Sequence, residues 1–215
     1  MWVCGNRLSP TKRSICSVCM LHLPRTTYQF TPDDNPMAQL FWHLTPVERA
    51  AALIFYELHS ETALIVYQLK YGNRPDIGED MGRLIAVEMQ YGRFFDGIDV
   101  LVPVPLSANR LRQRGYNQSE RLASGIREIT GLPVVTKAIK RKKFVQSQTQ
   151  LSRHERQENV SDMFQLKDES LLRNKHILLI DDICTTGATL TACMDVLKEI
   201  EGIRISVLTW GFTKN

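Results

Sequence analysis

The stretch Ile177–Cys193 (ILLIDDICTTGATLTAC) constrains the fold more than any other part of the chain. Its apolar run is continuous rather than alternating, the pattern of a strand buried on both faces. Two adjacent carboxylates, Asp181 and Asp182, end that run. A short loop of threonine and glycine follows, and then a helical segment begins. Strand, loop and helix in this order mark a parallel α/β sheet, in which ligands gather at the C-terminal ends of the strands.

The residue types in the loop specify the ligand's chemistry. A helix N-terminus offers unpaired backbone N–H groups and the positive end of the helix dipole. Thr185, Thr186 and Thr189 add hydroxyl donors, while Gly187, followed by Ala188, lets the backbone approach an anion without a Cβ in the way. Such a loop cradles a phosphate monoester. Carboxylates repel phosphate, so Asp181 and Asp182 suit neighbouring sugar hydroxyls or a Mg²⁺ that bridges to the ligand. Phosphate beside a diol fits a ribose 5-phosphate. A lone Thr-Thr-Gly would read as a helix cap; strand, acid pair and TTGAT together read as a ligand loop. The chain has neither GxxxxGK[ST] nor a GxGxxG after a strand, which sets aside P-loop and dinucleotide-binding folds.

The rest of the chain supplies the sheet. Arg49–Tyr56 (RAAALIFY) is short and apolar, and periodicity does not separate helix from strand there. Ser60–Leu69 reads as a helix with Ser60 as N-cap, broken at Gly72, Asn73 and Pro75. A second helix is expected over Ile77–Tyr91, a buried strand over Asp99–Pro105, and a helix over Asn117–Thr130 closed by Gly131. Val134–Ile139 reads as a short strand, His176–Ile183 as a strongly apolar one, residues 188–200 as a helix and Arg204–Phe212 as the last strand. Phe30–Pro36 (FTPDDNP) has the composition of a linker or loop, and Lys140–Val160 that of a long, charged, functional loop.

Charge is unevenly placed. The net charge is only +4, yet residues 110–156 hold twelve lysines and arginines against three glutamates. That excess reads as an anion site for nucleic acid or polyphosphate, or as a solvated basic face. Hydrophobic residues at 43% and charged residues at 23% suit a globular domain. No apolar run approaches the ~20 residues of a membrane span. The N-terminus lacks the apolar core of an export signal, so the expected location is the cytoplasm, with thiols reduced. Cys16-x-x-Cys19, with Cys4 upstream, then reads as metal-ligating. Cys184 reads as a spacer in the loop and Cys193 as core.

Three further stretches carry a family likeness. They are LKYGNRPDIG (Leu69–Gly78), VPVPLSANRLRQRGYNQSERLA (Val102–Ala123) and QTQLSRHERQENVSDMF (Gln148–Phe164). With residues 177–193 they resemble, in order and over nearly the whole chain, the ComF family (competence protein F, amidophosphoribosyltransferase-like). The resemblance implies a type I phosphoribosyltransferase fold, an α/β parallel sheet flanked by helices, over residues 40–215. It also implies a small cysteine-containing, zinc-ribbon-like module over residues 1–29.

The implied ligand is phosphoribosyl pyrophosphate with Mg²⁺. Asp181 and Asp182 are the candidate catalytic pair, and Thr185, Thr186, Gly187, Ala188 and Thr189 hold the 5-phosphate. The loop Leu106–Arg110 is implied as the pyrophosphate loop. Lys70, Arg110, Arg114 and Arg141 are the candidate basic ligands, with Gly115, Tyr116 and Asn117 beside Arg114 on the ligand side. Lys142, Lys143, Arg153 and Arg156, with Phe144 for stacking, are the candidate nucleic-acid contacts on a hood-like loop. Zn²⁺ would be held by Cys4, Cys16 and Cys19; the family's other cysteine position is Met1 here, which leaves the fourth ligand open, with His22 either a local substitute or an unrelated histidine. Two functions compete. One is a competence factor that brings single-stranded DNA inward with a DNA-translocating helicase. The other is a transferase of nucleotide or nucleobase salvage.

Overall fold

The computed structural model describes residues 15–44, 46–142 and 163–213. Its centre is a four-stranded parallel sheet in the order β1 (Arg49–Phe55), β6 (Arg204–Phe212), β5 (His176–Cys184), β2 (Val100–Pro103). A two-stranded antiparallel ribbon, β3 (Ile139–Arg141) with β4 (Phe164–Leu166), stands apart from it. The helices are α1 (Ser17–Leu21), α2 (Pro36–Gln39), α3 (Glu61–Tyr71), α4 (Pro75–Gln90), α5 (Ala108–Arg114), α6 (Gln118–Thr130) and α7 (Ala188–Asp195).

Arg49–Phe55, ambiguous in sequence, is a strand. Ala50–Ile54 is buried throughout, and the residues pair in parallel with β6, Ala51 opposite Leu208. The core around it also takes in Ile15, Cys19, Leu23, Tyr28, Met37 and Phe41. Unpaired sheet edges invite association, and here passing segments cover both. Beside β1, Thr26 N–H donates to the Leu53 carbonyl at 3.0 Å and Phe55 N–H to Pro24 at 2.7 Å. Beside β2, Leu101 N–H donates to Pro133 at 2.8 Å and Val135 N–H to Leu101 at 2.9 Å. The expected strand at Val134–Ile139 is thus a single bridge, Leu101 to Val134, and the regular strand begins only at Ile139. Pro103 on β2 has no N–H to carry the ladder on to the Val135 carbonyl.

Phe30–Pro36 is a largely exposed loop anchored at Asn35. Asn35 is buried, caps α2, and donates from Nδ2 to the carbonyls of Ala50 and Thr31, both at 2.8 Å. Arg25 forks onto Glu88 of α4 through two 2.7 Å bonds. Helices α4 and α6 cross closely because the crossing is made by glycines. A Cβ on Gly82 would stand 2.1 Å from the Leu122 carbonyl, and one on Gly125 the same distance from that of Glu79. The α6 helix packs on β2 and β5, while α4 packs on β1 and β6. Helix α7 ends at Asp195, short of the expected residue 200, and the chain continues to Ile200 in turns. Among the described residues, no helix is long and apolar enough to cross a membrane.

Candidate ligand-binding site

The C-terminal ends of β2 and β5 and the end of α3 meet at one cleft. Ile177–Ile180 of β5 are fully buried, and Asp181 and Asp182 stand where the strand leaves the core. Successive residues of a strand face opposite ways. The two carboxylates accordingly diverge to different supports. Asp181 Oδ1 accepts from Ser119 Oγ at 2.9 Å and from the Asp182 N–H at 2.9 Å. Asp182 Oδ2 pairs with Lys70 Nζ at 2.9 Å, and its Oδ1 accepts from the Ile183 N–H at 2.7 Å. Burial, and after it the charge of Asp182, push Asp181 up to about 7, against the pull of these hydrogen bonds and of Lys70.

Beyond the acid pair, Thr185 and Thr186 are exposed and Gly187 is the N-cap of α7 at φ +76°, with no side chain bonded to the open end of the helix. Gly187 is required there twice over. L side chains rarely adopt that conformation, and a Cβ would meet the Phe41 ring at 3.0 Å. Thr189, on the first turn of α7, is half-buried.

On the opposite wall, Ser107 caps α5, the short helix after β2. Arg110 and Arg114 are one turn apart on it and share a cavity of about 650 Å³ with Lys70, Tyr71, Asn73 and Gln113. Arg112 turns elsewhere and donates to the Ala108 carbonyl. Arg114 donates to Gln118 Oε1 at 2.9 Å. Tyr116 and Asn117 turn inward rather than to the ligand side. Tyr116 Oη donates to the Leu69 carbonyl at 2.5 Å and accepts from the Arg74 N–H at 3.1 Å. Asn117 caps α6 and donates to the Val104 carbonyl. Tyr116 thus bolts the Lys70 turn to the α5–α6 corner, and Asn117 ties that corner to the chain just past β2. Arg141, on β3, lies over the Phe164 ring at 5.4 Å. Burial and then the Arg110 charge lower its pKa, while Asp181 raises it. A second cavity, of about 660 Å³, is lined by Leu106, Leu111, Ile139, Arg141, Lys142 and Gln165, among others.

A strand ending in an acid pair, a glycine-started helix and a facing basic corner are the parts expected of a sugar-phosphate transferase. The profile of the family described as "Phosphoribosyl transferase domain" matches residues 70–210. The chain belongs to that family. Its relatives narrow the placement to the ComF-like members. The "DNA utilization protein YhgH" of Escherichia coli O157:H7 is 27% identical over 206 residues, 91% of this chain and 89% of that protein. The "Competence protein F" of Haemophilus influenzae is 26% identical over 156 residues, 71% and 67% of the two chains. "Competence protein ComFC" of Bacillus subtilis is 34% identical over 92 residues, 42% and 35%. A solved structure titled as the allosteric regulatory enzyme of purine biosynthesis aligns with TM-score 0.43 at 20% identity, covering 65% of this chain and 29% of that one.

For this ComF-family phosphoribosyltransferase-like protein, the sequence passed over Ser119 and Gln118. Ser119 holds Asp181 across 62 positions, and Gln118, itself buried, positions Arg114. Both follow the capping Asn117, and a cap residue was the one signal that could have drawn attention to them. Lys143, Phe144, Arg153 and Arg156 lie outside the described residues, as does Cys4. Cys16 Sγ accepts the Cys19 N–H at 3.4 Å as the cap of α1, Cys19 is buried, and His22 is exposed at the helix end. Among the described residues no three His, Cys, Asp or Glu side chains gather to hold a metal. Burial pushes the Cys184 thiol up to about 12 and Cys193 higher still, which removes both as nucleophiles.

Proposed function

We propose that this protein binds phosphoribosyl pyrophosphate together with Mg²⁺ and acts in DNA uptake or use, as the names of its relatives suggest. One observation carries the ligand reading. The acid pair stands between an open helix N-terminus and a basic corner, so that one cleft offers places for a phosphate, a diol and a pyrophosphate. Thr185–Thr189 would take the 5-phosphate on the backbone N–H groups of the α7 turn. Asp181 and Asp182 would take ribose hydroxyls or the ligand's Mg²⁺. Lys70, Arg110 and Arg114 would take the pyrophosphate, with guanidinium forks matched to its oxygens. A resting pair between Lys70 and Asp182 keeps both groups ordered until the ligand divides them.

Calorimetric titration of the ligand with Mg²⁺ into wild type and into Asp181→Asn/Asp182→Asn tests this reading. Binding by the wild type and its loss in the double variant are expected. A folded wild type that takes up no heat sinks it.

The second reading, a transferase of nucleotide or nucleobase salvage, is favoured by the cavity beside Arg141. At about 660 Å³ it has room for a planar acceptor next to the site. With the Cys184 and Cys193 thiols buried, the acceptor itself would displace pyrophosphate at the anomeric carbon, helped by positioning and charge stabilisation. Release of pyrophosphate on addition of an acceptor base is the assay.

A further inference from the structure

Beside the ligand cleft the protein exposes an aromatic stripe that the fold does not use. Leu64, Tyr67 and Tyr71 are 48%, 58% and 64% exposed. At spacings of three and four they share one face of α3. The rings of Tyr67 and Tyr71 are 5.1 Å apart, and the Arg114 guanidinium lies 5.3 Å over the Tyr71 ring. The two ring planes are inclined at 47°, and with the guanidinium they form one exposed aromatic and cationic cluster. It leads directly onto α5, whose seven residues include Arg110, Arg112 and Arg114 and no carboxylate. The contacts made by Arg112 and Arg114 are to neutral oxygens, so their charge is not cancelled.

We propose that a single-stranded nucleic acid crosses α3 and α5, with bases on Tyr67 and Tyr71 and phosphates on Arg110 and Arg114, the two α5 arginines on that side. The chemistry selects this partner. Exposed π-faces accept any unpaired base, and neighbouring cations hold the phosphates that link the bases. In a duplex the base faces are already stacked on each other, so the rings have nothing to take. The proposal rests on the DNA half of the function proposed above and gives it a surface, one distinct from the basic loop that the sequence suggested.

The test uses the full chain and a labelled oligothymidylate of about 20 nucleotides, long enough for one binding site. Anisotropy is followed from low to moderate salt for wild type, Tyr67→Ala, Tyr67→Phe and Arg112→Gln. Neither position is among the residues assigned to phosphoribosyl pyrophosphate, so titration of that ligand serves as the control for an intact site. Tyr67→Ala should bind roughly tenfold more weakly, in keeping with the loss of one stacked base. Tyr67→Phe should bind as wild type does. Arg112→Gln, on the other side of α5, removes a charge that meets no phosphate and should leave the slope of log affinity against log salt unchanged. A hairpin duplex should bind more weakly than the single strand. If wild type binds the strand and Tyr67→Ala binds it equally well, the surface is wrong while the DNA function stands. If wild type does not bind the strand at all, the DNA function falls and the surface with it.

Discussion

Asp181→Asn should make the protein more stable at pH 8 and lose that advantage in acid. Asp181 has its carboxyl pushed from 3.8 to about 7, by burial first and by Asp182 second. A buried acid of this kind prefers its neutral form in the fold. Between pH 4 and 7 the unfolded chain releases a proton that the folded chain keeps, so wild-type stability falls as pH rises through that window. The ceiling is 1.36 kcal/mol for each of about three units, or about 4 kcal/mol in all. The carboxyl itself is buried while the residue as a whole is half-buried at the mouth of a cleft, and solvent reaching that mouth reduces the expected cost to about 2 kcal/mol. Asparagine carries no charge, and its Oδ1 can still accept from Ser119 and from the Asp182 N–H. For a chain of this size the gain at pH 8 corresponds to a melting temperature about 4–8 °C higher. Thermal melts of both proteins by circular dichroism at pH 4, 6 and 8 measure it. A wild-type-minus-variant difference that stays constant with pH would refute the reasoning, because Asp181 would then ionise alike in the folded and unfolded states.

Three other outcomes follow from the geometry. Gly187→Ala must hold a left-handed φ with its Cβ against Phe41, which should cost roughly 1–2 kcal/mol in a urea melt and abolish phosphate-ligand binding by calorimetry. Tyr116→Phe removes the hydroxyl that joins the Leu69 carbonyl to the Arg74 N–H. It should cost about 1–3 kcal/mol in the same melt and weaken ligand binding through a displaced Lys70. Cys184 and Cys193 should resist alkylation at pH 8 until the protein is unfolded, as mass spectrometry of trapped adducts would record.

What could be read from the sequence divides along chain distance. The apolar run into the acid pair, the glycine-started helix and the Ser60, Asn117 and Gly131 helix ends depend on neighbours a few residues away, and each is found in the structure. Arg49–Phe55 could not be assigned because three successive alanines carry no period; pairing with β6, about 155 residues later, decides it. Val134 looked like a strand start by composition, yet the missing N–H of Pro103, about 30 residues earlier, limits it to a single bridge. In the site, the acid pair and Gly187 announce themselves. Ser119 and Gln118 do not, since a serine and a glutamine on a helix are ordinary until the fold sets them against Asp181 and Arg114. Tyr116 and Asn117 misled in the opposite way. Next to three arginines they read as ligand residues, but an aromatic ring and a capping amide are also what a tight corner needs.

The central claim is that the α7 turn, the acid pair and the basic corner form one site. Titrating ribose 5-phosphate, pyrophosphate and phosphoribosyl pyrophosphate separately into the wild type, each with Mg²⁺, tests it most directly. If the parts act together, the whole ligand should bind at least a hundredfold more tightly than either fragment, because joining the pieces removes the cost of immobilising one of them. If pyrophosphate alone binds as tightly as the whole, the basic corner is an isolated anion site and the acid pair has no part in recognition.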